Sequence, residues 1–261
     1  MFKEYLKGIK ENKYILFSLV QRDLQMKYRR SKLGVAWSIL TPAGLAIIVG
    51  TVYALLFGTS PRELIPLIFA SINPWIFMSG SADAATMAYP AAEGYIKQAT
   101  VATQIFPIRT VMVNFVTLLY STLTFFAFYL FLQPQNFGPK MFLCVPGLLI
   151  MFLFTLGVAN LTSVVNLYIR DYAPLQSLIF QGLFYATPII YDASMLQQRG
   201  YAIVYQVNPF YYMLEVVRRP MFGQQLPSVR TYVIAITMML VVHILGIFIQ
   251  VKYRKKIVYL L

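Results

Sequence analysis

Charge is scarce in this chain. Only 12% of its 261 residues are Asp, Glu, Lys or Arg, about half the share of an ordinary soluble domain, and just nine are acidic. A soluble globular fold is excluded. There is one cysteine, Cys144, and one histidine, His243. A lone cysteine rules out an internal disulfide and a cysteine-based metal site, and His243 has no second imidazole or thiolate with which to share a metal. Lying on an apolar helix face, His243 is expected to pack or to make a hydrogen bond, and no metal site is assigned. No G-x-x-x-x-G-K-[ST] loop occurs, so the chain does not bind ATP in the P-loop manner, and energy from ATP would have to enter through another subunit. Asp83 alone among the acids lies near the depth of an apolar run. Ion-coupled transporters use ionisable groups near the bilayer midplane, and membrane transferases use paired carboxylates or a His/Asp set. Neither pattern is present, and no catalytic residue is assigned.

Long uncharged runs are abundant. Leu33 to Pro61, Leu64 to Ala82, Thr110 to Pro139, Met141 to Ile169, Tyr172 to Tyr191 and Thr231 to Val251 contain no Asp, Glu, Lys or Arg. About 20 helical residues cover a hydrocarbon core of roughly 30 Å, so each run is long enough to cross a bilayer. The expectation is an all-α integral membrane protein with six transmembrane helices. The net charge of +13 is concentrated beside these runs, with nine cations before Leu33 and Lys252, Arg254, Lys255 and Lys256 after the last. That placement points to anionic inner-leaflet lipid rather than to nucleic acid, and puts both termini in the cytoplasm, as an even number of spans requires. The first apolar run starts at residue 33, exceeds a signal-peptide core in length and lacks a small-residue cleavage site, so no removable leader is expected.

Asn12 to Arg30 has a helical period, with Phe17, Val20, Leu24 and Tyr28 on one stripe and Ser18, Arg22, Gln25 and Arg29 on another, and reads as an amphipathic helix along the interface. Gly50, Ala54 and Gly58 in span one, and Gly80, Ala84 and Ala88 in span two, have the four-residue spacing that lets helix backbones approach closely in lipid. By alternation, Ala91 to Arg109 and the short Arg170-Asp171 loop are cytoplasmic. Arg62, Glu63, Lys140 and the stretch from Asp192 to Arg230 are external. Within that stretch Gly200 to Leu214 is uncharged and holds Tyr201, Tyr205, Phe210, Tyr211 and Tyr212, but it is too short to span. Asn208-Pro209 breaks it in two, so it reads as a re-entrant helical hairpin dipping into the outer leaflet before the last span. The expected organisation is one membrane domain: interface helix 1–32, spans one to five 33–191, external segment 192–230, span six 231–251 and tail 252–261. Sugar rings stack their C–H faces on aromatic rings, and aromatics at 16% offer such surfaces, although they also populate membrane belts and cores.

Particular strings carry a resemblance. Arg22-Asp23, Lys27-Tyr28-Arg29-Arg30-Ser31, Leu33-Gly34, Trp37 and Pro42 resemble the entry to the first span in ABC-2-type permeases that export O-antigen, teichoic acid and capsular polysaccharide. Pro74-Trp75, Tyr95-Ile96-Lys97, Tyr168-Ile169-Arg170-Asp171, Thr187-Pro188-Ile189, Asn208-Pro209-Phe210, Arg218 or Arg219 and Gly223 continue it along nearly the whole chain. Members often have Phe-Pro-Arg a few residues after the loop lysine. Here Val101-Ala102-Thr103 stands in that place, which leaves the detail of that loop open.

The resemblance implies a permease subunit, not an enzyme, assembled as two copies with two copies of a nucleotide-binding ATPase that holds ATP and magnesium. The chain itself would carry no cofactor. It would sit in the bacterial inner membrane and export a lipid-linked polysaccharide, O-antigen-like in class. Arg22, Asp23, Lys27, Tyr28, Arg29, Arg30, Lys97, Arg170 and Asp171 would couple to the ATPase, while Tyr201, Tyr205, Phe210, Tyr211 and Tyr212 would gate the external end. A local ion pair is the alternative for Arg170 and Asp171, and a place among the outer headgroups is the alternative for Arg218 and Arg219. Two other functions fit the composition: an ABC-2 permease for a drug or small lipid, and a membrane enzyme acting on lipid-linked sugar.

Overall fold

The computed structural model describes residues 2–29, 31–98, 101–223 and 226–261, and every regular element among them is helical. In chain order these are α1 (Phe2–Glu11), α2 (Lys13–Tyr28), α3 (Trp37–Phe57), α4 (Pro61–Thr86), α5 (Glu93–Gln98), α6 (Ile105–Leu132), α7 (Cys144–Tyr168), α8 (Tyr172–Ala186), α9 (Ala193–Gln198), α10 (Ile203–Gln206), α11 (Pro209–Met221) and α12 (Val229–Leu260). Five stretches are long and apolar enough to cross a bilayer: Gly34–Phe57, Pro61–Thr86, Ile105–Leu132, Pro139–Tyr168 and Val229–Arg254.

Six were expected, and the exception is Tyr172 to Tyr191. Its helix α8 has 15 residues, a rise of about 22 Å, which falls short of the core by itself. The cause is local. Thr187 precedes Pro188 and takes extended angles, φ −93 and ψ 130, as a residue before proline tends to. Its hydroxyl turns back to the Leu183 carbonyl at 2.6 Å, so the helix stops there.

Helix α4 is the central stave, packing on α3, α6, α7, α8 and α11. Some 72% of its apolar stretch is buried, against 22% for α3 and for α12. It begins cleanly because the Ser60 side chain accepts the Arg62 N–H at 3.3 Å and Pro61 takes the first helical position. The small-residue spacing of span one works as close packing at Gly50, where a Cβ would lie 2.8 Å from Ile65 Cα on α4. Gly58 serves differently, ending α3 in the left-handed conformation. In span two, space is open around Gly80 and Ala84 is exposed, so that close packing is absent within one protomer. Close crossing is instead found between α7 and α12. A Cβ on Gly157 would sit 2.7 Å from His243 Cα, and one on Gly246 would sit 2.6 Å from the Gly157 carbonyl oxygen. His243 Nδ1 lies 3.0 Å from the Leu153 carbonyl oxygen in the same crossing.

Residues before the first span form two helices rather than one. Helix α1 buries Tyr5, and α2 buries Leu16, Leu19 and Val20. Of the apolar stripe read by period, Val20 is buried and Phe17 is 59% exposed. The face turned inward is the one that ends in Asp23, because Asp23 bonds α6, and Leu16, Leu19 and Val20 lie on that side at helical spacing.

Candidate coupling surface and translocation groove

At one end of the bundle, charged side chains tie short elements to the long helices. Arg109, in the first turns of α6, grips the Asp23 carboxylate with two donors at 2.5 and 2.7 Å. Such a bidentate pair fixes orientation as well as distance. The neighbouring Arg22 donates to the Tyr95 hydroxyl and stacks on that ring at 5.5 Å, joining α2 to the segment that contains α5. Lys97 donates to Glu93 at 2.6 Å and to the Leu261 carbonyl oxygen at 2.9 Å. Lys27 turns toward α6, where its ammonium donates to Thr117 Oγ1 at 3.0 Å. Arg29 is exposed at the end of α2, and Arg30 and the Tyr28 side chain lie outside the described residues. Arg170 and Asp171 are exposed in the turn between α7 and α8, and none of the ion pairs among the described residues joins them. The structure thus brings Arg22, Asp23 and Tyr95 together and leaves Arg170 and Asp171 on a separate turn.

Both chain ends meet at this same end of the molecule. Glu4 pairs with Arg254, and Asn160 donates to the Tyr5 hydroxyl at 3.0 Å. Burial lifts the Tyr5 phenol to about 12 against that hydrogen bond, so it stays neutral. Tyr89 donates to Gln250 at 2.5 Å, and Gln250 donates to the Asn160 carbonyl oxygen at 3.0 Å and to Ser163 Oγ at 3.1 Å. This buried polar cluster locks the inner ends of α7 and α12 to the segment that carries Lys97.

Midway along the bundle, α4 and α8 leave a groove of about 540 Å³. Trp75, Phe180, Phe184 and Tyr185 supply ring surface, and Ser79, Asp83, Ser177 and Gln181 supply polar groups. Asp83 accepts a hydrogen bond from Gln176 at 2.9 Å. A flat ring beside a hydroxyl acceptor is a combination that suits a sugar, which has apolar C–H faces and hydroxyl edges.

The segment after α8 is seated deep. Phe210, at the start of α11, meets Phe154 at 5.4 Å, Phe180 at 5.5 Å and Trp75 at 5.6 Å. Phe154 lies ~15 Å along α7 from its first residue. The other end of α11 leads to Phe222, which touches Phe125 and Tyr129 near the end of α6. Of the five aromatics expected at the external end, Tyr205, Phe210 and Tyr211 are buried in the protomer, Tyr212 is half-buried and Tyr201 is exposed. Arg218 is 5% exposed, which removes the alternative of a place among the headgroups. It donates to the Pro188 carbonyl oxygen at 2.7 Å and to Ser71 Oγ at 3.3 Å, and it pairs with buried Glu215. The more exposed Arg219 pairs with the same carboxylate. Sequence reasoning overlooked Glu215, although an acid three and four residues before two arginines on one helix is a readable signal. It also assigned no role to Arg109, Gln176 or the Trp75 partners Phe180 and Phe184, whose meeting depends on helix packing.

The structure is thus a bundle of long apolar helices with a charged end and a groove between α4 and α8. The chain belongs to the ABC-2 type transporter family, whose characteristic sequence matches residues 14–222. It is a multi-pass membrane protein. It is similar to an O-antigen export system permease protein, RfbA, of Myxococcus xanthus, at 27% identity over 220 residues covering 82% of each chain. Two proteins of the same name from Klebsiella pneumoniae are each 25% identical, one over 201 residues covering 77% of both chains and one over 242 residues covering 92% of this chain and 93% of its relative.

Proposed function

We propose that this chain is the transmembrane permease of an ABC exporter that carries a lipid-linked, O-antigen-like polysaccharide across the bacterial inner membrane. The observation that carries the substrate class is the α4–α8 groove, where Trp75, Phe180, Phe184 and Tyr185 flank Asp83. The names of the similar proteins agree with it. Rings allow a polymer to slide, and Asp83 accepts hydroxyl hydrogen bonds as successive sugars pass. Helices α3 and α8 flank α4, and a second copy of the chain closes the passage from the open side, since one bundle is too narrow to enclose a glycan.

Parity supports six crossings with both termini cytoplasmic. Five full-length helices alone would separate the chain ends, whereas the Glu4–Arg254 pair joins them. Helix α8 and residues 187–191 supply the remaining crossing. Segment 192–230 then lies outside and re-enters the outer leaflet, with Phe210 at its deepest point and Tyr201 and Tyr212 at its rim as gate. The face formed by Arg22, Arg29, Tyr95 and Lys97, with Arg170 and Asp171 on the neighbouring turn, docks a separate ATPase that holds ATP and magnesium, two copies to two permeases. Asp23 and Arg109 transmit its closure from α2 to α6.

The assignment is tested by capturing the chain from its native membrane in mild detergent. A Walker-type ATPase co-purifies at about one copy per permease, and Arg22→Ala with Lys97→Ala reduces its recovery while the permease stays folded. Recovery of an intact permease with no ATPase, and sugar-transfer activity from the chain alone, would assign it instead to the membrane enzymes.

A further inference from the structure

Where α3 leaves α4, a cavity of about 380 Å³ opens, backed by α6 and bordered by Lys27 of α2. Its size is that of a small-ligand pocket. The wall is mostly apolar, with Trp37, Pro42, Leu45, Phe77 and Leu118, and α6 adds a polar stripe of Asn114, Thr117 and Ser121 at one-turn spacing. Lys27 stands on Thr117, the middle residue of that stripe. Ser121, one turn deeper, is 4% exposed, and its Oγ has no hydrogen-bond partner among the described residues. A buried hydroxyl left without a partner is costly, so the cavity calls for an acceptor at that depth. On the opposite wall Gly80 has no atom within 4 Å of where a Cβ would stand.

Three features follow: a cation at Lys27 that can face an anion, a buried hydroxyl donor ~6 Å farther along α6 at Ser121, and an apolar wall for hydrocarbon. A glycerophospholipid meets all three, because its ester carbonyls lie a glycerol's length below the phosphate, just above the acyl chains. An isoprenoid phosphate offers the anion and the hydrocarbon but no carbonyl. We propose that this cavity is a binding site for an anionic glycerophospholipid, with the phosphate on Lys27, an ester carbonyl accepting from Ser121 and one acyl chain along Phe77 and Leu118. The site depends on the chain being embedded in a membrane and not on what the chain exports, so the two assignments fail separately.

The test is native mass spectrometry of the permease purified in mild detergent, delipidated and titrated with phosphatidylglycerol or phosphatidylcholine. Wild type retains a phosphatidylglycerol at low lipid. Lys27→Gln lowers the preference for phosphatidylglycerol over phosphatidylcholine about fivefold, the factor expected of one cation at an anionic surface. Ser121→Ala weakens retention of both lipids by a similar factor, and Gly80→Leu, which fills the cavity, abolishes it. Leu123→Ala, on the 65% exposed flank of the same helix, leaves binding unchanged. If Gly80→Leu does not fold, Ser121→Ala and Lys27→Gln decide the matter. Retention equal to wild type in those two variants overturns the site. Co-purification of an isoprenoid phosphate, with no preference for phosphatidylglycerol, overturns the occupant.

Discussion

The two ends of the bundle use charge in opposite ways. At the end where the termini meet, Arg22, Asp23, Lys97 and Arg109 link elements far apart in sequence, and most of them keep solvent access. On α11 the central charges are sealed, with Glu215 and Arg218 buried as a pair, Arg219 joining the same carboxylate from a more exposed position, and Arg218 also donating to the Pro188 carbonyl oxygen. Exposed pairs contribute little to stability and are available to a partner, whereas a buried pair is costly to break from one side. Charge at the first end stays largely within reach of solvent, and at the second its centre is buried among helices.

The largest expected effect breaks the sealed end. Glu215→Gln leaves Arg218 buried without its carboxylate and destabilises the chain by about 3–5 kcal/mol. Trp75, which touches Phe210 at the base of the same helix, reports the loss in a fluorescence melt. Next is Gly147→Ala, where the added Cβ would stand 2.1 Å from the Val216 carbonyl oxygen and force α11 off α7. Overpacking of this kind costs about 1–3 kcal/mol, and the same melt detects it. At the open end Arg22→Ala changes stability by about 1 kcal/mol or less but lowers ATPase stimulation in the assembled complex. A large stability loss there would erase the contrast between the ends. The smallest effect is at Asp192. Burial raises its carboxyl, but hydrogen bonds from Ser194 and the charges of Arg218 and Arg219 outweigh that and hold it below the ordinary carboxylate range. Its contribution is therefore complete above the ordinary value and lost as pH falls through the lowered one. Asp192→Asn shows a small loss of melting temperature at neutral pH that disappears in strong acid.

How legible the chain was depended on the range of the interaction. Composition and run length are local, so the all-helical membrane class and five of the long helices could be read directly. The fifth expected run forms a helix too short to cross by itself, because absence of charge says nothing of helix length, and Thr187-Pro188 ends α8 inside an apolar run. The partners of Asp23 and Trp75 were not legible, since Arg109 and Phe210 reach them only after helices pack. Arg218 illustrates the same limit: beside an external loop it reads as a headgroup contact, yet packing of α11 on α4 buries it.

The most direct test of the account is transport by the reconstituted complex. Proteoliposomes holding permease and ATPase are loaded with a fluorescent lipid-linked O-antigen-type glycan on the ATPase-accessible side, and its arrival in the opposite leaflet is followed with and without ATP. The account predicts ATP-dependent arrival that Asp83→Asn slows, with the complex still intact. ATP-dependent movement of small amphiphiles alone, with the glycan never crossing, would contradict it.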